Sequence, residues 1–481
     1  MHFAMIARIL GLLMMVFSFT MLTPVLVSWW FQDGNYSAFF ISFGISLVAG
    51  MLIWLPFMKA RAELQTRDGF LVVTLFWTVL SLIGALPILL TLDVSFTDAA
   101  FESFSGLTTT GATVLSGLDD MPKSLLFYRQ QLQWLGGMGV IVLAIAILPM
   151  LGIGGMQLYK AEIPGPMKES KLTPRIAETA KALWYVYLVV TIMCAVSYWW
   201  AGMNWFDAIC HSFSTVSTGG FSTHDASMAY FNSTSIDFVG AIFMVLSGAN
   251  FALIYAMWRR RSPVVMLVDP EFRFYFGLMF TYVVIVAVGL WIFSVESDPV
   301  NVLRHAFFQV ASFGTGTGLT STNAASWPSY LAYLLVLISF IGGCAGSTAG
   351  GMKVVRAALV FEHSLRELRQ LIYPHGIFAL RFGRRPVSDS VLQAVWGFVG
   401  VYITLAMMLT LMLTATGMDL STAVATVAAS LNNLGVGIAG VASGFSEVTE
   451  FGKWLMCAAM LLGRLEVFTV LVLFTRMFWR Q

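Results

Sequence analysis

Ten stretches of about 20 residues, each nearly free of charge, recur along this chain and confine it to a lipid bilayer. They fall at 9–31, 38–58, 70–92, 125–150, 182–202, 236–258, 274–295, 330–352, 391–416 and 453–478. At a rise of ~1.5 Å per residue, each matches a hydrocarbon core roughly 30 Å thick. Only 11% of the 481 residues are charged and 58% are hydrophobic, more apolar surface than a water-soluble core could hide. The first stretch follows Arg8 but has no small-residue cleavage pattern before Pro24, so a retained helix is expected rather than a signal peptide. Cys194, Cys210, Cys344 and Cys457 are scattered and form no CxxC pair, which favours small packed residues over a metal or disulfide role.

The charges orient the spans. With the N-terminus inside, 22 of the 27 Lys and Arg fall on the inner side, and only Lys123, Arg129, Arg304 and Lys453 lie outside. Arg464 sits within the last span. This bias obeys the positive-inside rule, so both termini are expected in the cytoplasm. The outer side carries 14 Asp and Glu, a balance that would gather cations rather than anions.

After the first two spans the remaining eight pair off, and each pair encloses a segment too short and polar to cross. These segments must re-enter, starting near Phe96, Trp205, Val300 and Asp419. Each reads as a short helix followed by a Gly/Thr/Ser-rich stretch, and such backbone is tolerated at membrane depth only in protein or around water. Residues 98–111, DAAFESFSGLTTTG, match 207–220, DAICHSFSTVSTGG, at seven of 14 positions and 305–318, HAFFQVASFGTGTG, at six. The fourth, 424–437, VATVAASLNNLGVG, matches at two, so its membership rests on position and glycines. Glu102, His211 and Gln309 share one position, with Ala428 in the fourth. An ion ligand should not change among acid, imidazole and amide, so these side chains are expected to hold the loop behind them.

A dehydrated monovalent cation needs oxygens of modest field strength, and rings of backbone carbonyls provide them. Glycine permits the backbone angles that aim successive carbonyls at one axis. The four segments are Thr109-Thr110-Gly111-Ala112, Thr218-Gly219-Gly220-Phe221, Gly316-Thr317-Gly318-Leu319 and Gly435-Val436-Gly437-Ile438, the last preceded by Leu434. Each short helix would turn its partly negative C-terminal end toward a cation beneath the loops.

Two further features break the pattern of ordinary spans. Between Gly342 and Gly351 the chain holds Gly342, Gly343, Gly346, Gly350 and Gly351 with Ser347 and Thr348, a composition that destabilises a helix centre. It reads either as a non-helical loop or as a tight small-residue helix crossing. It is no nucleotide loop, because Met352 and Lys353 follow Gly351 where Lys and then Ser or Thr are required. Arg464 lies too deep to reach the surface, so it must face water or a partner such as Glu466.

These residues resemble the TrkH/KtrB branch of the Trk/Ktr/HKT superfamily of potassium transporters. The resemblance runs from about Asp68 to the end and rests on the four loops, on 342–353, GGCAGSTAGGMK, and on Gly463-Arg464-Leu465-Glu466. The extra hairpin at 9–58 looks like TrkH rather than the shorter KtrB subunits. In plant HKT relatives that prefer sodium the first filter glycine can be serine, and Gly111 stands in that place here. The fourth loop departs from the pattern by lacking threonine, so its register is the least determined.

What the resemblance implies is an all-α integral membrane fold, four pseudo-symmetric span–pore loop–span repeats around one pore, serving potassium uptake across the bacterial inner membrane. Thr109, Thr110, Gly111, Thr218, Gly219, Gly220, Gly316, Thr317, Gly318, Leu434, Gly435, Val436 and Gly437 would bind potassium in transit. Gly342, Gly343, Gly346, Ser347, Thr348, Gly350, Gly351 and Lys353 would form a gating loop, with Arg464 raising the barrier beside it. The segment 353–385, with Arg366, Arg369, Arg381, Arg384 and Arg385, reads as an interfacial helix, and the resemblance adds homodimerisation and docking of a TrkA-type cytosolic nucleotide-binding subunit. K⁺ is the cargo, with no other cofactor and no nucleic-acid partner expected.

The expected units are a hairpin at 1–66 and repeats at 67–178, 179–270, 271–386 and 387–481. A secondary transporter built on inverted repeats fits less well, because the four repeats share one orientation. Passive flux and coupling to H⁺ or Na⁺ both stay open. A membrane enzyme would need convergent catalytic groups, and six scattered histidines offer none.

Overall fold

The computed structural model describes residues 1–60, 65–142, 172–376, 378–383 and 385–480. The inner end of the fourth span, the basic residues between 160 and 171, Arg61 and Arg384 lie outside the described residues. Helices dominate, and the strands described are one short antiparallel pair, Arg381–Phe382 with Arg385–Pro386.

Six helices are long and apolar enough to cross a membrane: Phe3–Phe31, Tyr36–Phe57, Arg67–Thr91, Ala180–Trp200, Pro270–Ile292 and Asp389–Thr414. Lys123–Val142 and Ser329–Ile341 occupy two further expected positions. The chain is a multi-pass membrane protein whose outward-facing side chains are apolar, with Trp29 75% and Phe280 63% exposed, as suits contact with lipid.

Two expected spans are not straight, which corrects the reading of 236–258 and 453–478 as single helices. Thr234–Ser247 and Phe251–Arg260 meet at 97°, and Glu450–Arg464 and Phe468–Phe474 at 108°. In the first, Asn250 Oδ1 accepts from the Ala252 amide at 2.8 Å and starts a new helix. In the second, Glu466 and Val467 take left-handed angles, φ 56° and 48°, which no continuous helix contains. Arg464 is therefore the final residue of its helix, at the bend, rather than part-way along a span.

The short helices occupy the centre. Phe96–Leu107, Trp205–Ser217, Pro299–Thr315 and Leu420–Leu431 begin within a residue of the expected starts. Each is capped by the residue before it: Ser95, Asn204, Asp298 and Asp419 accept from Asp98, Asp207, Val300 and Thr422 amides. Ala99 through Leu107 is buried without interruption, whereas the spans around it expose one face. We take the end of the bundle at which these helices start as its upper end.

The N-terminal hairpin packs on itself where Gly11 meets Gly50. A Cβ on Gly11 would stand 2.7 Å from the Gly50 carbonyl oxygen. Asp33, held within the hairpin by the Ser28 hydroxyl at 2.5 Å, ties it to repeat 1 by accepting from the Ser124 amide at 2.9 Å.

Candidate functional site: a closed ring of four loops

Each short helix ends in the same backbone device. The amides of Thr110, Gly219, Thr317 and Leu434 donate to carbonyls five residues back, those of Ser105, Ser214, Ser312 and Ala429, at 2.7–2.9 Å. The residues on either side are left-handed in all four loops: Thr109 and Gly111, Thr218 and Gly220, Gly316 and Gly318, Asn433 and Gly435. Alternating hands along a strand turn successive carbonyls toward one side, which is the arrangement a row of oxygens requires.

The loops close on one another in cyclic order. A Cβ on Gly111 would meet the Gly219 oxygen at 2.1 Å, on Gly220 the Thr317 oxygen at 2.2 Å, on Gly318 the Leu434 oxygen at 1.9 Å, and on Gly435 the Thr110 oxygen at 2.1 Å. Repeat 1 thus abuts 2, 2 abuts 3, 3 abuts 4 and 4 returns to 1. The four glycines also line one cavity of about 140 Å³ above the ring, together with Arg129, His224 and Asp225.

This geometry corrects the fourth loop by two residues. Gly435, not Gly437, is the counterpart of Gly111, so the matching segment is 422–435 and the counterpart of Glu102 is Thr426 instead of Ala428. Gly437 lies beyond the ring, where a Cβ would meet the Val441 oxygen at 2.3 Å, and Val436 borders the upper cavity. The physical reason is that the repeat is defined by the left-handed pair and not by the pattern Gly-x-Gly; Asn433 supplies the first member of that pair, as asparagine can.

The side chains behind the ring brace it. Glu102 accepts from the Val114 and Leu115 amides and from Arg129, whose Nη2 lies 3.2 Å away. His211 meets Ser222 at 3.0 Å, and Gln309 donates to the Thr322 carbonyl at 2.8 Å. The Ser214 and Ser312 hydroxyls donate to the Phe221 and Leu319 carbonyls, both at 2.6 Å. In the fourth loop, Asn433 Nδ2 donates to the Thr110 hydroxyl at 2.9 Å and to the Met460 carbonyl at 3.0 Å, joining repeat 4 to repeat 1.

Below the ring the helix Ser329–Ile341 stops and 342–353 runs as a loop before Val354–Ile372. Gly350 fits under the fourth loop, since a Cβ there would stand 1.9 Å from the Asn432 oxygen. Thr348 donates toward the Val216 and Ser247 carbonyls at 3.1 and 3.2 Å, while the Cys344 amide donates to Gly248 at 2.8 Å. The Ser347 hydroxyl donates to the Cys344 carbonyl at 2.6 Å, and Lys353 Nζ donates to the Ala349 carbonyl. Arg464 reaches in from the last repeat, its Nη1 donating to the Thr348 carbonyl at 2.8 Å. Glu466 does not pair with it; that carboxylate lies 2.5 Å from Arg356. The cavity among Gly346, Gly350, Lys353, Asn433 and Arg464 measures about 20 Å³, little more than one water.

These are the features of a cation path: oxygens in a ring, an open cavity with polar lining above and a near-closed space below. The profile of TrkH, cation transport protein, matches residues 35–481. The chain belongs to the TrkH family. Among its relatives, "Trk system potassium uptake protein TrkH" of Halomonas elongata and of Escherichia coli K12 are each 51% identical over the full length of both chains. "Trk system potassium uptake protein TrkG" of Escherichia coli K12 is 41% identical over 100% of this chain and 99% of its own. The crystal structure of the potassium transporter TrkH from Vibrio parahaemolyticus superposes with a TM-score of 0.93, at 48% identity and with both chains fully covered. The TrkH fold of spans and re-entrant loops is thus the fold of this chain.

Residue contacts that sequence reading missed join distant segments. His224 bridges Asp119 and Asp207, the latter at 3.2 Å, and stacks on Tyr230 at 3.5 Å. Burial disfavours the imidazolium, but the bonds to Asp207 and Asp119 outweigh it and raise the His224 pKa. The same contact holds the Asp119 carboxyl below its ordinary range. Arg304 is within 2.6 Å of Asp237, and Lys453 within 2.6 Å of Asp98, so with Glu102, Asp119 and Asp207 several of the outer acids named as cation attractors are held in internal pairs. Asp225 is the carboxylate that lines the upper cavity among the described residues.

Proposed function

We propose that this chain carries potassium across the bacterial inner membrane, with the upper cavity facing outward and both termini in the cytoplasm. The observation that carries the reading is the cyclic contact of Gly111, Gly220, Gly318 and Gly435 with the carbonyls of Gly219, Thr317, Leu434 and Thr110. A ring of weak-field oxygens replaces the water shell of a monovalent ion and holds no countercharge that would trap it. The relatives' names, potassium uptake proteins, support potassium as that ion.

In this reading the carbonyl-bearing residues are Thr109 to Gly111, Thr218 to Gly220, Gly316 to Gly318 and Asn433 to Gly435. The loop from Gly342 to Lys353 obstructs the path beneath them. Arg464 adds a positive charge at the same level, and its hydrogen bond to Thr348 links charge and obstruction. The working units are the hairpin 1–66 and repeats 67–178, 179–270, 271–386 and 387–481, assembled as a homodimer. A TrkA-type cytosolic nucleotide-binding subunit acts on the helix Val354–Ile372, whose exposed Leu368, Leu371 and Ile372 leave an uncovered face.

Purified chain in proteoliposomes tests this. Uptake of ⁸⁶Rb⁺ driven by a K⁺ gradient alone, with K⁺ competing better than Na⁺, is the expected result. Uptake that requires a proton or sodium gradient instead favours a coupled symporter, and no cation uptake at all overturns the proposal.

A further inference from the structure

The N-terminal hairpin meets repeat 2 through aromatic rings. Phe31 stacks on Trp205 with centroids 5.6 Å apart and meets Phe206 edge-on at 5.1 Å. Beside this contact runs a groove of about 160 Å³ lined by Leu26, Val27, Trp30, Phe127, Trp205 and Ile209. Its lining is almost entirely carbon, and Trp30 and Trp205 are 68% and 50% exposed at its edge. Tryptophan collects where hydrocarbon gives way to headgroups, so the groove opens at that depth.

One charge stands beside the groove, over the Phe206 ring that lines it, and among the described residues makes no direct ion pair. Of the four basic residues in the upper segments, Arg129, Arg304 and Lys453 each have a carboxylate at 3.2, 2.6 and 2.6 Å. Lys123 closes no ion pair among the described residues; its ammonium lies 5.5 Å from the centre of the Phe206 ring. The nearby acids are bonded to other groups, Asp119 to His224 and Asp33 to Ser28 and the Ser124 amide; Lys123 and Asp119 attract each other only across a distance longer than an ion pair. Lys123 begins the helix that carries Phe127 one turn on, so cation and groove share a wall.

A slot for hydrocarbon beside an ammonium that touches no carboxylate among the described residues fits an amphiphile with an anionic head. We propose that the groove holds an acyl chain of an anionic phospholipid whose phosphate rests on Lys123. Bound there, the lipid spans the hairpin and the short helix Trp205–Ser217, and so supports the second loop of the ring from behind. The inference is independent of which ion passes the ring.

Native mass spectrometry of the delipidated full-length protein, titrated with phosphatidylglycerol or phosphatidylcholine of matched chains, tests it. Expected is saturable retention of phosphatidylglycerol at least tenfold above phosphatidylcholine, loss of that preference in Lys123→Gln, and its return in Lys123→Arg. Ile209→Trp, which fills the groove, should reduce both lipids in a protein whose melting temperature is unchanged. Equal retention of the two lipids by the unmodified protein, or a preference that survives Lys123→Gln, overturns the proposal. A lower dimer fraction in Ile209→Trp with unchanged lipid binding overturns it too, because a second copy would then be the occupant.

Discussion

Arg464 donates to the Thr348 carbonyl at 2.8 Å, and its other terminal nitrogen stands 3.5 Å from the Gly136 carbonyl. One side chain from repeat 4 thereby touches repeats 3 and 1 beneath the ring. A unit charge about 6 Å from a passing cation costs it ~2–3 kcal/mol at an effective dielectric near 20. Arg464→Ala should therefore raise passive ⁸⁶Rb⁺ flux in proteoliposomes by roughly tenfold to a hundredfold, and Arg464→Lys should not. Flux equal to that of the unmodified protein would remove Arg464 from the barrier.

The register of the fourth loop is tested by serine substitution. A side chain at a strained left-handed position costs on the order of 1–3 kcal/mol, and each ring glycine also abuts a neighbour's oxygen. Serine at Gly111, Gly220, Gly318 or Gly435 should lower K⁺ over Na⁺ selectivity, read from reversal potentials, by roughly fivefold or more. Gly437→Ser should leave that ratio unchanged even where it lowers expression. A selectivity loss at Gly437 with none at Gly435 would restore the earlier register.

Arg356 and Glu466 lie 2.5 Å apart and connect the helix after the loop to the bend of the last span. The Arg356 guanidinium also lies 4.0 Å from the Phe398 ring centre. Glu466 keeps about a fifth of its surface exposed, so removing one member of this partly buried pair costs on the order of 1–3 kcal/mol, and Glu466→Gln should lower the melting temperature by a few degrees. The double variant Arg356→Glu with Glu466→Arg should recover part of the loss, and the coupling energy of that cycle measures the contact. Additive effects would mean that the two elements are joined by other means.

His224 makes the upper loops sensitive to alkali. Its two ring nitrogens face Asp119 and Asp207, and Tyr230 covers one ring face, so the protonated form is the one bound. Because its pKa is raised in the folded protein, its contribution is complete below about pH 6.5 and disappears as pH rises through the raised value. The Asp119 pKa is lowered, so its share is present above about pH 4 and is lost only in stronger acid. Thermal melting followed from about pH 6 to 9 should decline for the unmodified protein and stay level for His224→Gln. Parallel curves would show that the bridge contributes no pH dependence.

The sequence revealed most where chemistry repeats locally. The starts at Phe96, Trp205, Val300 and Asp419 were legible because a short helix in a bilayer announces itself by a polar cap and a broken apolar run. Gly342 to Gly351 was legible as a break for the same reason. The bends at Gly248–Asn250 and at Glu466 were hidden, because hydropathy averages over a window longer than a bend; the Asn250 cap was the available signal. The fourth register failed because Gly435-Val436-Gly437 mimics the spacing of Gly316-Thr317-Gly318, while the left-handed residue that sets the register is Asn433, and residue identity does not report a backbone hand. Partnerships such as His224 with Asp119 and Arg356 with Glu466 join residues about a hundred positions apart, where no periodicity can show them.

In the ring, the residue that gives room and the oxygen that uses it belong to different repeats. A change made at Gly111 displaces the oxygen of Gly219, one quarter-turn away, so damage surfaces in a segment whose own sequence is intact. No quarter of such a circle can be repaired alone. The residues just before the ring glycines, Thr110, Gly219, Thr317 and Leu434, differ from loop to loop, whereas the four bare α-carbons at Gly111, Gly220, Gly318 and Gly435 must stay bare together.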